Sequence, residues 1–211
     1  MKIVESLKWR YATKKFDPNK KLTPIQVDGI LQVLNLTPTS YGLQPLKFLR
    51  IVNPEIREEL VSASWNQRQV TDASDLIVIC IENRFTEEDV DQFINRTASK
   101  RNEDAKTPRY DSFKKMLMKI VDWSKDDYQN WARKQAYIAL GNLMTACAVE
   151  QIDACPMEGF DAKKYDEILG LDKLDLSSVL VCPIGFRSED DRNSQLAKIR
   201  KEHHEIVIEI N

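Results

Sequence analysis

Residues 76–81 read Leu-Ile-Val-Ile-Cys-Ile, a run without a single polar side chain. Side chains alternate between the two faces of a strand, so a strand that is apolar at every position must be covered on both. The run reads as a buried strand, and residues 178–185 read as another. Helical segments alternate with these strands. Ile3, Val4, Leu7 and Trp9 mark a helix over 2–10. Thr23 followed by Pro24 is a helix start, with the apolar stripe Ile25, Val27, Ile30, Leu31 and Leu34 behind it and Pro38 closing it. A strand is expected over 48–52, a helix from Pro54 to about Ala63, and two helices around Pro108 within 86–122. Beyond them a short strand is expected over 152–156 and a helix over 161–169. Segment 125–150 reads as a long helix whose second half is apolar almost all round. Ala136, Ala139, Gly141, Ala146 and Ala148 let a neighbouring helix approach it closely.

A chain of 211 residues fits one domain, large enough to bury roughly 70% of its unfolded surface. The formal charge of −2 leaves no electrostatic footprint for nucleic acid. No apolar run approaches the roughly 18 residues of a membrane span, and the first residues lack the apolar core of a signal peptide. Cys80, Cys147, Cys155 and Cys182 are widely spaced in apolar surroundings, and His203 and His204 adjoin each other near the end. Neither set has metal-site spacing. Buried reduced thiols are expected, with no metal and a cytoplasmic location.

The tail alternates Ile206, Ile208 and Ile210 with Glu205, Val207 and Glu209, the pattern of a half-buried strand. Such a terminal strand must find an edge to pair with, in its own sheet or in another copy's. Neither Gly-x-Gly-x-x-Gly nor Gly-x-x-x-x-Gly-Lys-Ser/Thr occurs. A bound nucleotide-like cofactor would therefore need side-chain cations at its phosphate, not a glycine-rich backbone cradle. Arg10 at the end of the first helix, with Lys198 and Arg200 near the other terminus, supply such cations.

Four motifs carry a resemblance. They are Arg10-Tyr11-Ala12-Thr13-Lys14-Lys15-Phe16, Pro38-Thr39-Ser40 with Gln44-Pro45, Pro156-Met157-Glu158-Gly159-Phe160, and Lys198-Ile199-Arg200. In this order and at these intervals the chain resembles the FMN-dependent nitroreductases. The closest branch holds the oxygen-insensitive NAD(P)H nitroreductases and dihydropteridine reductases, and the likeness covers nearly the whole chain. It implies an α+β fold: a three-layer α/β/α domain with a mixed, mainly antiparallel sheet flanked by helices. The C-terminal strand would be exchanged in an obligate homodimer. A single domain over 1–211 is implied, with a helical insertion near 85–125 covering the substrate pocket.

The resemblance further implies FMN as cofactor and NADH or NADPH as electron donor, with hydride passing to nitroaromatic, quinone or pteridine-like small molecules in ping-pong fashion. No side chain would be catalytic in the acid–base sense. Lys14 would sit beside the pyrimidine side of the ring, and the Glu158 backbone N–H would point at N5. Arg10, Lys198 and Arg200 would take the phosphate. Tyr11, Ala12, Asn66, Gln69, Pro156, Met157 and Gly159 would line the same cofactor site, Gly159 letting the chain pass close to the ring. Pro38, Thr39, Ser40, Gly42 and Gln44 would belong to it as well, with Thr39, Ser40 and Gln44 reaching it from the other subunit. Tyr41, Phe113, Met116 and Leu117 are the candidate substrate-pocket residues. Three positions depart from close relatives: Tyr11-Ala12 stands for His-Ser, Gly42 for asparagine, and Gln69 for a lysine. The alternatives are a family relative with a different flavin reaction, and a flavin-binding protein without turnover.

Overall fold

The computed structural model describes residues 1–210. Along the chain run α1 (Lys2–Trp9), α2 (Pro24–Asn35), β1 (Leu46–Ile51), α3 (Pro54–Ala63), α4 (Gln69–Asp72), β2 (Asp75–Glu82) and α5 (Glu87–Arg101). Then come α6 (Pro108–Val121), α7 (Lys125–Val149), β3 (Asp153–Ala154), α8 (Ala162–Leu169), β4 (Leu176–Gly185) and α9 (His203–Ile206). The sheet order is β1-β2-β4-β3, with the two buried strands β2 and β4 side by side at its centre. Every named pair is antiparallel, and parallel pairing is confined to an isolated bridge between Ala12 and Ala154.

The covering of both faces is visible residue by residue. Ile77, Ile79 and Ile81 of β2, with Leu180, Cys182 and Ile184 of β4, pack into one core against α2, α5, α6 and α7. Leu76, Val78 and Cys80, with Val181, face a second core closed by α3, α8 and Phe16. The result is the expected three-layer α/β/α arrangement. Helix starts follow their sequence signals. The Thr23 hydroxyl accepts the Gln26 N–H while the Gln26 side chain accepts the Thr23 N–H, a capping box with Pro24 next in line. Pro108 likewise opens α6, and α5 and α6 bury Val90, Ile94, Tyr110 and Leu117 against the first core.

Two strand expectations are corrected. The strand expected over 152–156 shrinks to Asp153–Ala154 because Pro156 has no N–H for the ladder; pairing resumes at Met157 opposite Val181. The strand expected in the tail is, in the single chain, the one-turn helix α9 followed by extended residues. That segment pairs with neither sheet edge, and Ile206, Ile208 and Ile210 are left exposed. The four cysteines are free and buried, and burial pushes the thiols of Cys80 and Cys147 up to about 12.

Candidate functional site

The segment leaving α1 is pinned from beneath by two buried carboxylates. Asp153, on β3, accepts from the Arg187 backbone N–H at 2.8 Å, from Arg187 Nε at 2.8 Å and from the Thr13 hydroxyl at 3.3 Å. The Arg187 guanidinium then lies over the rings of Trp9 and Tyr11, at 4.2 and 4.6 Å from their centroids. Asp191, only 2% exposed, accepts the N–H groups of Lys14 and Lys15 at 2.8 and 3.1 Å and the Tyr11 hydroxyl at 2.9 Å on one oxygen. Its other oxygen accepts the Asn193 N–H at 3.1 Å. Burial pushes the Asp191 carboxyl up, but these donors outweigh it and hold the group below the usual carboxylate range.

On this base the two cationic ends of the chain meet. Arg10, Tyr11, Ala12, Pro156, Lys198 and Arg200 line one cleft of about 520 Å³, together with Trp9, Met144 and the 193–199 turn. Lys198 Nζ donates to the Arg10 carbonyl. Among the described residues none of Arg10, Lys14, Lys198 and Arg200 is paired with a carboxylate. Arg10 Nε is buried without a partner. Burial, and then the positive charges of Arg10 and Arg200, hold the Lys198 ammonium below its ordinary value. Burial also lowers Arg10, with Arg200 adding to the effect. Three crowded cations and an orphaned donor are electrostatically incomplete, an arrangement that an anion would complete.

A second recess of about 320 Å³ shares Pro156 with the first and is lined by Lys14, Trp65, Gln67, Met157, Glu158 and Gly159. Lys14 Nζ lies 3.9 Å from Cys155 Sγ. Met157 buries its side chain and exchanges backbone bonds with Val181. The next residue, Glu158, has a backbone N–H that finds no acceptor among the described residues. Gly159 has little room on its free side. A Cβ there would stand 2.7 Å from Trp65 Cζ3, so the indole already occupies that side of the chain. Asn66 is exposed with a left-handed φ of 59°. Gln69 is buried at the start of α4 and is absent from both recess walls; Gln67, two residues earlier, takes the place beside Lys14 and donates to the Gly159 carbonyl at 3.1 Å.

The loop 38–44 stands apart. Its Ser40 N–H donates to Gln135 Oε1 on α7 at 2.9 Å, and Gln44 Nε2 donates to the Asn35 carbonyl at 2.8 Å. Tyr41, Gly42 and Gln44 all have left-handed φ, at 58, 74 and 51°. Thr39 and Gln44 line a third recess, about 350 Å³, with Phe48, Phe85, Phe93 and Arg96, and this recess shares no residue with the other two. Within one chain the expected site residues therefore fall into two groups. Of the candidate pocket residues, Tyr41 and Met116 are exposed and Phe113 packs edge-on against Phe93 at 6.0 Å. Leu117 is wholly buried in the first core, as an apolar residue on the inner stripe of α6 must be, and lines no recess.

Residues 7–186 match the model of the Nitroreductase family. The chain belongs to the nitroreductase family. A Staphylococcus epidermidis protein assigned as an NAD(P)H nitroreductase is 35% identical, covering 97% of this chain and 95% of its own. The oxygen-insensitive NAD(P)H nitroreductase of Salmonella typhimurium is 33% identical over 95% of each. With such relatives along its full length, this nitroreductase-family chain is an oxidoreductase. In fold it is similar to a nitroreductase from Exiguobacterium sibiricum solved in complex with FMN. The TM-score is 0.81, with 21% identity over 99% of this chain and 97% of that one. Trp65 and Gln67, which line the second recess, and Asp191 and Arg187, which pin the segment beside it, were not singled out by the sequence.

Proposed function

We propose that this chain binds FMN and passes hydride from NADH or NADPH to a quinone, nitroaromatic or pteridine-like acceptor. The observation that carries the reading is the cluster of Arg10, Lys198 and Arg200, free of carboxylates and with Arg10 Nε orphaned, lining a cleft that shares Pro156 with the recess of Lys14 and Glu158. The group fits these residues. The three cations would hold its phosphate, Arg10 and Arg200 by forked contacts and Lys198 as a point charge. Lys14, Gln67 and the Glu158 N–H would hold and orient its ring. FMN, once bound, supplies the hydride chemistry itself. The fixed charge of Lys14 favours the electron-rich reduced form by preorganisation. One open recess serves donor and acceptor in turn, which gives ping-pong kinetics. The buried thiol of Cys155 stays protonated and no histidine lines the recess, so the acceptor draws its proton from water.

The reading includes a homodimer. Ile3, Val4 and Leu7 of α1 and Tyr137 and Ile138 of α7 leave an exposed apolar surface on two helices that pack together. Loop 38–44 would complete the partner's site, which accounts for its separation from Lys14 within one chain. The relative named as an NAD(P)H nitroreductase and the FMN complex of the structural neighbour support the same assignment. The test is anaerobic. FMN-loaded protein mixed with NADH or NADPH is expected to lose its yellow absorption and recover it on adding a quinone or nitroaromatic. Bound flavin that neither donor bleaches would leave a binding protein without turnover.

A further inference from the structure

Among the described residues, Asp191 is the one buried carboxylate that bonds both the segment after Arg10 and the turn before Lys198. One oxygen holds the Tyr11 hydroxyl and the N–H groups of Lys14 and Lys15, and the other holds the Asn193 N–H in the turn leading to Lys198. It accepts from none of Arg10, Lys198 and Arg200, so its charge is taken up by backbone and phenol and the cluster stays cationic. The neighbouring acid, Asp190, is exposed and pairs with Lys15 at 2.6 Å, a surface contact of small consequence.

We propose that Asp191 is a positioning residue for the anion site: it fastens the segment bearing Arg10 and Lys14 to the turn before Lys198 and Arg200, so that cations 188 residues apart in sequence converge on one phosphate. The inference rests on the FMN reading above and goes beyond it, because Asp191 touches no cofactor in this arrangement. Its effect is transmitted through three backbone N–H groups and one hydroxyl.

The sign of one substitution separates positioning from plain electrostatics. Asp191→Asn removes a negative charge beside three cations, which by Coulomb's law alone makes the site more attractive to an anion and tightens FMN binding. Positioning requires the reverse, because an amide accepts the Lys14 and Lys15 N–H groups less strongly than a carboxylate and cannot accept from Asn193 with its nitrogen. The experiment is FMN titration of full-length protein, read by quenching of flavin fluorescence, for wild type, Asp191→Asn and Asp191→Ala, with the melting temperature of each flavin-free protein beside it. The expected result is about three- to tenfold weaker binding in Asp191→Asn and a larger loss in Asp191→Ala. If the alanine protein does not fold, the asparagine protein decides alone. Wild-type binding with equal or tighter binding in Asp191→Asn overturns the positioning role and leaves the flavin reading intact. A wild-type protein that does not bind FMN overturns both.

Discussion

At the scale of single residues, the close approaches in this molecule differ in what they resist. Gly159 and Gly185 both lack room for a Cβ, but the first faces the exposed indole of Trp65 and the second faces the Ser74 backbone N at 2.8 Å. An indole can swing away; a backbone amide held beside β4 cannot. Gly159→Ala is therefore expected to cost about 1 kcal/mol and Gly185→Ala about 3 kcal/mol, read from denaturant midpoints. Adding Trp65→Ala should abolish the smaller loss; a Gly159→Ala penalty that survives removal of the indole would place the strain elsewhere. Acid stability tests Asp191. A carboxyl held below its ordinary value of 3.8 contributes stability that is complete above that pH and disappears as pH falls through the lower folded value. Wild type should thus lose more stability than Asp191→Asn on acidification below about pH 4, and parallel acid transitions would argue that Asp191 is not fastened as described. Arg10, Lys14, Glu158 and Lys198 could be singled out in the sequence because each lies in a motif that carries the family resemblance, and the structure brings them to the walls of two adjoining recesses. Asp191 was not, since it sits in the run Glu189-Asp190-Asp191 and only the fold decides which of the three turns inward. Gln69 misled for the same reason: position in a motif does not fix the direction of a side chain at the start of a four-residue helix.

Among elements, those whose signal is local appeared where the sequence put them. Helix α3 runs from Pro54 to Ala63, and α5 and α6 divide at Pro108 as expected. β2 and β4 needed no partner information either, because runs so rich in apolar residues are covered on both faces. The tail shows the limit of this logic. Its alternation describes a strand with one dry face, yet within one chain the segment pairs with neither edge of the sheet and its isoleucines stay exposed. A chain ending at residue 201 keeps Lys198 and Arg200 but loses α9 and the exposed isoleucines. It is expected to dimerise at least tenfold more weakly than the full chain in sedimentation equilibrium. Equal dimer affinity would remove the tail from the proposed interface.

For the molecule as a whole, the three-layer body acts as a frame that brings both termini to one place. α1 ends at Arg10, β3 and the 153–157 segment run beneath the opening loop, and the chain after β4 returns across it through Asp191 to Lys198. The four motifs made that convergence legible from the sequence by resemblance. The separation of loop 38–44 into its own recess was not legible in one chain's spacing, because it reflects which helix the loop leans on, here α7 through Gln135. The central claim is that side-chain cations, not a glycine cradle, hold the cofactor by its phosphate. Parallel titrations with FMN and with riboflavin, which differ only in that phosphate, test it most directly. The account predicts FMN binding at least a hundredfold tighter than riboflavin, with the gap narrowing as salt rises. Equal affinities for the two would contradict it.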